Sequence, residues 1–206
     1  MAEGGAAVKR YKRVKKTVVE INVMNSFVPV RDGIVMALMD RDMVVLTSDH
    51  DIDINCQGVA VFIPDQGVVK NVTVLASRAG IAILLCSNLT PDQQRELVEV
   101  ELFEGDLQEF QEVYTYSHQN KYRVLTPGNI MSLDAIGFDH SCSAHSITHY
   151  GSPVFNEDAQ LVGMCFNFSE YVSSYNIAEI ARKIDNNFGR EYKSVQLSLQ
   201  NLRHQN

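Results

Sequence analysis

Residues 140 to 150, HSCSAHSITHY, bring three imidazoles, a thiol and a phenol into one short run, a set of side chains suited to metal ligation or proton transfer. Zinc takes four nitrogen or sulfur ligands in a tetrahedron. Ligands crowded into a single run, here His140, Cys142, His145 and His149, rarely close such a shell without a second half elsewhere, and none occurs. No metal and no cofactor are expected. A second constellation is Asp49-His50-Asp51-Ile52-Asp53, where an imidazole sits among carboxylates, the pairing that general acid-base chemistry uses. Its alternating acids suggest a calcium loop, but Ile54 and Ala60 occupy the places where such a loop needs glycine and glutamate. Cys56, Cys86 and Cys165 lie in apolar runs and read as core residues.

The elements that must position these groups are mostly strands. Short runs of β-branched and apolar residues recur at 17–23, 33–38, 43–47, 58–63, 67–75, 81–85, 98–103, 113–117, 123–125, 128–133, 152–155 and 161–168. Little helical periodicity intervenes, so an all-β fold of barrels or sandwiches is expected. Thr90-Pro91-Asp92-Gln93 has the cap and first-turn proline of a helix start. Residues 176–184 place Ile177, Ile180, Ala181 and Ile184 on one helical face, with Gly189 beyond the end.

Three ordered motifs then resemble the trypsin-like serine protease family, in its Deg/HtrA type. MVVLTSDHDID, from Met43 to Asp53, is similar to the strand and turn that present the family histidine, and His50 falls on that position. SRAGIAILL, Ser77 to Leu85, resembles the strand that carries the orienting aspartate, and ITHYGSPVFNEDAQLVGMCF resembles the nucleophile turn and the strands after it. The LVGMCFNF ending is similar to degenerate members encoded in grass genomes. The resemblance covers about 17 to 188. It implies two packed antiparallel β-barrels with a C-terminal helix: a basic flexible arm at 1–16, an N-terminal barrel at 17–95, a C-terminal barrel with its helix at 96–188, and a polar tail at 189–206.

Carried over residue by residue, the resemblance places Gly80 at the aspartate position, Tyr150 at the serine position and Thr148 in the oxyanion-hole region. A phenol with a pKa near 10 is a poor acyl-transfer nucleophile, and glycine has nothing with which to orient an imidazole. In a serine protease triad, losing the aspartate interaction alone costs about 10⁴ in turnover. Ser152, beside Pro153, stands where glycine is usual. Some viral relatives use a thiol, but Cys142 lies eight residues before the nucleophile position. Arg31-Asp32-Gly33 replaces a small-residue turn of the family. The chain is therefore expected to be a pseudoprotease and not an enzyme, a protein- or peptide-binding regulatory module. The alternatives are a residual peptidase with a non-standard nucleophile, and a nuclear protein whose basic arm contacts nucleic acid.

Charge bears on partners and compartment. KRYKRVKK, at 9 to 16, holds six basic residues, so with Glu3 the first sixteen positions sum to +5 and the rest of the −7 chain carries −12. Such a run reads as a solvated arm or a nuclear import signal. An acidic body repels phosphate, so nucleic acid is not the expected partner. The apolar stretch after the run is interrupted at Glu20 and Asn22, so neither a signal peptide nor a membrane span is expected. Together with four irregularly spaced cysteines this suggests a cytoplasmic or nuclear compartment with reduced thiols. The expected partner is an extended peptide or protein in the cleft between barrels. Nothing in the sequence assigns an oligomeric state.

Overall fold

The structure, a computed structural model, describes the chain except residues 1, 25, 27–29, 56–57, 70, 120–121, 143–149, 169–171 and 187–206. Cys56, His145, Thr148, His149 and the tail at 189–206 thus lie outside the described residues. Seven strands form a curled antiparallel sheet: β1 (Val18–Val23), β2 (Val30–Met39), β3 (Asp42–Thr47), β4 (Val59–Ile63), β5 (Gly67–Val69), β6 (Asn71–Arg78) and β7 (Ile81–Ser87), in the order β5-β4-β1-β2-β3-β7-β6. Six more close a barrel: β8 (Glu112–Gln119), β9 (Tyr122–Leu133), β10 (Gly137–His140), β11 (Pro153–Phe155), β12 (Leu161–Phe168) and β13 (Val172–Asn176), in the order β10-β13-β12-β11-β8-β9. This is the two-barrel, all-β architecture of the trypsin-like fold, with the first barrel a curled half-barrel sheet.

Burial follows the residue pattern. Val19, Ile21, Val45, Val61 and Leu84 fill the first sheet, and Val113, Ile130, Val154 and Val162 fill the second. A third cluster lies at the seam and joins Ile34, Leu46 and Ile81 to Tyr116, Phe155 and Leu161. Its inward side chains come from both units, so burying them fixes how the two sheets sit together. A helix over 177–186, α3, adds Ile180 and Ile184 to that cluster.

α2 (Pro91–Arg95) links the units and starts as expected: the Gln93 N–H donates to Thr90 Oγ1 at 3.2 Å, and the Thr90 N–H donates to Gln93 Oε1 at 3.0 Å, a reciprocal cap. The run at 98–103 forms no strand. Its N–H groups go to three different elements instead: Val98 to Lys16 O, Val100 to Val35 O and Phe103 to Leu161 O. β9 runs unbroken through Pro127, which lies opposite Tyr114 of β8, while β10 pairs with β9 from Ile130 to Leu133. Arg31-Asp32-Gly33 is not a turn either. It lies inside β2, with Gly33 against Val19, and a Cβ there would stand 2.6 Å from Ile21 Cδ1 and from Val45 Cγ1.

The expected flexible arm at 1–16 is instead helical. α1 (Ala2–Thr17) puts Val14 and Thr17 on one buried face, and Thr17 Oγ1 donates to Val14 O at 3.0 Å. Its basic residues meet acids and carbonyls of both units. Lys15 pairs with Asp65 at 2.6 Å, Lys16 with Glu96 at 3.4 Å, and Arg13 with Glu101. Arg10 Nε donates to Glu157 O at 2.7 Å and its guanidinium lies 4.1 Å from the Tyr114 ring centroid. The arm orders because these partners lie on the acidic body that its own charge attracts. No helix among the described residues is long and apolar enough to cross a membrane.

Candidate functional site

His50 sits in the turn after β3, held from both sides of its backbone. Its N–H reaches Ser48 Oγ at 3.3 Å, and its carbonyl accepts from Arg31 Nη1, a guanidinium buried inside the first sheet. The same Arg31 donates through Nη2 to Ser26 Oγ at 3.0 Å, and Ser26 Oγ donates to Asp51 Oδ2 at 2.8 Å. The Asp51 carboxylate in turn lies 3.7 Å from His50 Nε2. The imidazole is 42% exposed, open enough to meet a ligand.

Across the seam, the turn 150–152 brings Tyr150 onto that imidazole. The two rings stack with centroids 4.7 Å apart and planes 5° from parallel. Gly151 makes the turn possible: its φ is +79°, and a Cβ there would stand 2.6 Å from Thr47 Oγ1 and 2.8 Å from Asp32 O. Ser152, fully buried, donates through Oγ to Asp32 Oδ2 at 2.7 Å. Asp32 is also fully buried, with Arg123 Nη2 of the second barrel 3.7 Å from its Oδ1. The turn is therefore anchored to the first sheet by a carboxylate between a hydroxyl and a guanidinium.

Gly80 occupies the β6–β7 turn with φ +91°, and its N–H donates to Asp49 Oδ2 at 2.9 Å. The space a side chain would take there is filled: a Cβ would lie 2.7 Å from the Tyr175 hydroxyl. Tyr175 is clamped, stacked on Phe166 with centroids 3.9 Å apart and beneath the Lys183 ammonium at 4.2 Å. Lys183 also donates to Ala79 O at 2.7 Å, tying α3 to the same turn. The carboxylate beside His50 thus comes from its chain neighbour Asp51, while Asp49 holds the Gly80 turn. Asp32, Arg123 and Tyr175 escape a reading of motifs because each acts from a different strand, far along the chain from the residue it supports.

The thiol and imidazole of the 140s go elsewhere. His140 and Cys142 are buried in the second barrel, where His140 Nε2 lies 3.0 Å from Ser174 Oγ and 3.8 Å from Cys165 Sγ. Burial pushes the Cys142 thiol up to about 11 and the Cys165 thiol up to about 12, which keeps both protonated and unreactive. Among the described residues no three His, Cys, Asp or Glu side chains converge as metal ligands would.

The fold and this seam define a class, the trypsin-like serine protease fold. No family model matches the chain, and no curated protein matches it. Solved structures do. Rv3671c of M. tuberculosis H37Rv, as a serine-to-alanine mutant in its inactive form, aligns with TM-score 0.71 at 16% identity over 88% of this chain and 91% of that one. The serine endoprotease from Yersinia pestis aligns with TM-score 0.71 at 15% identity over 87% of this chain and 65% of that one. The active form of Rv3671c protease aligns with TM-score 0.68 at 16% identity, covering 87% and 84%.

The expectation that the chain is not an enzyme is corrected by this finding. The solved structures named above are of proteases, an active form among them. There is a physical reason for the error. Gly80 and Tyr150 show which family groups are absent from their positions, but not which other groups stand near His50, and Asp51 does so.

Proposed function

We propose that the seam between the two barrels accepts an extended peptide or protein segment, which lies across the stacked His50 and Tyr150. The contact between those two rings, made across the seam at a partly exposed imidazole, is the observation that carries this reading. Strand addition needs only a backbone edge and flanking side-chain contacts, and a flat aromatic pair offers an adaptable surface. In this reading His50 and Tyr150 are binding residues, and Arg31 and Asp32 position them.

A second reading makes the seam a peptidase site in which His50 is the base and the nucleophile is not the family serine. The fold of its neighbours and the carboxylate 3.7 Å from His50 Nε2 support it. One experiment addresses both: incubation with a mixed peptide library, followed by mass spectrometry of captured and cleaved species, for the native chain, His50→Ala and Tyr150→Ala. Capture lost in both variants supports peptide binding, and cleavage lost in His50→Ala supports the peptidase. Neither capture nor cleavage in the native chain overturns both.

Three of the cysteines are free and buried, which favours a reducing compartment, cytoplasmic or nuclear. The ending Leu161 to Phe168 keeps its similarity to proteins of grasses as a pointer to origin. Contact of the basic segment with nucleic acid is not part of this reading, because Arg10, Arg13, Lys15 and Lys16 are engaged by the body.

A further inference from the structure

We propose that a second groove, between the 102–107 segment, the end of β9 and the start of α3, is a docking site for a peptide segment carrying alternating basic and apolar side chains. The groove encloses about 640 Å³, a volume typical of ligand-sized clefts. It is lined by apolar side chains, Phe103, Leu107, Leu133, Val162 and Ile177, and by carboxylates at Glu104, Asp106 and Asp134.

The groove is preformed. One wall is the segment after the linker, stitched to β12 by the Leu161 N–H to Glu101 O bond at 2.7 Å and the Phe103 N–H to Leu161 O bond at 2.9 Å. Gly105 lets the Phe103 ring fold back over the chain, since a Cβ there would lie 2.6 Å from its Cζ. The opposite wall is the end of β9, where Asp134 Oδ1 accepts from the Ile136 and Gly137 N–H groups at 2.9 and 2.8 Å. The start of α3 closes the third side, with Asn176 Oδ1 accepting the Glu179 N–H at 2.8 Å.

Charge decides the occupant. From 101 to 112 the chain holds Glu101, Glu104, Asp106, Glu109 and Glu112 and no base. Glu101 is taken by Arg13 and Gln160, but among the described residues Glu104 and Asp106 have no ionic partner. An apolar floor beneath unneutralised carboxylates attracts a segment that supplies leucine-like side chains to the floor and arginine or lysine to the rim, and repels an acidic one. The groove shares β9, β12 and β13 with the seam, but His50, Tyr150, Asp32, Arg123 and Tyr175 do not line it.

The test uses the full chain and fluorescein-labelled peptides of about ten residues, one alternating Arg with Leu, one Glu with Leu and one Arg with Ser, read by fluorescence anisotropy. The Arg-Leu peptide is expected to bind tightest, with its Kd rising about tenfold between about 50 and 300 mM salt as rim charges are screened. Glu104→Lys combined with Asp106→Lys, both at exposed positions, is expected to weaken it by about tenfold or more at low salt. Leu107→Ser tests the floor separately, and a thermal melt of each variant verifies folding. Equal binding of the Glu-Leu peptide, or an Arg-Leu affinity unmoved by the rim variants, overturns the proposal. So does loss of binding in Tyr150→Ala with none in the rim variants, which moves the peptide to the seam.

Discussion

Replacing Asp32 by alanine removes the carboxylate that holds the Tyr150 turn, and the structure allows the cost to be worked out. Asp32 is fully buried, Ser152 Oγ donates to it at 2.7 Å, and Arg123, only 11% exposed in its side chain, lies 3.7 Å away. Without it the Arg123 charge is left in a poorly solvated place, and stranding one partner of a buried pair costs about 3–5 kcal/mol. Arg123 keeps its bond from Nη1 to Val18 O and its place 5.7 Å from the Tyr116 ring centroid, which favours the lower figure. For a chain of this size about 3 kcal/mol lowers Tm by roughly 6–12 °C. Asp32→Asn retains an acceptor for Ser152 but leaves the Arg123 charge unneutralised, so it is expected to lose most of the same amount. Thermal unfolding followed by circular dichroism measures both, and Asp32→Ala with Arg123→Met completes a double-mutant cycle. A coupling of at least about 1 kcal/mol is expected, because the second change removes the stranded charge. A fall of less than about 2 °C for Asp32→Ala, or strict additivity in the cycle, would refute the anchoring role.

Other perturbations address the remaining contacts. The thiols of Cys86, Cys142 and Cys165, raised by burial to about 12, 11 and 12, bind protons in the folded state that the unfolded chain releases above about 9. Their contribution is therefore full below pH 9 and lost as pH rises toward 11–12, so urea midpoints should fall steeply across that window. A flat profile there would count against burial of the thiols. Gly80→Asp puts a side chain into left-handed backbone and into the Tyr175 hydroxyl, so it should destabilise by about 1–3 kcal/mol or more, with part regained on adding Tyr175→Ala. Equal melting temperatures for Gly80→Asp and the native chain would show that the space is not filled. On α1, Arg13→Ala and Lys15→Ala each remove a half-exposed ion pair and should cost no more than about 1 kcal/mol. Val14→Asp, which buries a charge, should cost about 3 kcal/mol or more, and denaturant titration distinguishes the two classes.

Most strands were legible in their residues because alternation and β-branching are local properties. Leu161 to Phe168 matches its predicted bounds, and the Thr90 cap follows from a four-residue pattern. β13, read from the residues as no strand at all, is VSSYN, whose inward positions are Val172 and a buried serine, Ser174, so no apolar alternation marks it. The run 98–103 has strand composition but lies between three elements, and its parallel bridge from Leu102 to Leu161 does not extend into a strand. α1 was the hardest to read: its charges argue for solvent, and only partners at 65, 96, 101 and 157 reverse that conclusion. At the seam, His50 could be located from the Met43 to Asp53 stretch and Tyr150 counted back from the Gly-Ser-Pro run. Tyr175 and Arg123 could not, since side chains brought together by topology leave no spacing in the chain.

α1 has one further consequence, for the order in which the protein can be completed. Its residues leave the ribosome before those of the body, yet Arg10 binds a carbonyl at Glu157, 147 positions later. Domains generally consolidate in the order of synthesis, and contacts of large sequence separation form late. The helix must therefore wait, basic and unshielded, while the body that neutralises it is still being made. In nascent chains truncated before residue 157, a protease that cuts after lysine and arginine should remove the first sixteen residues quickly, and full-length chains should retain them.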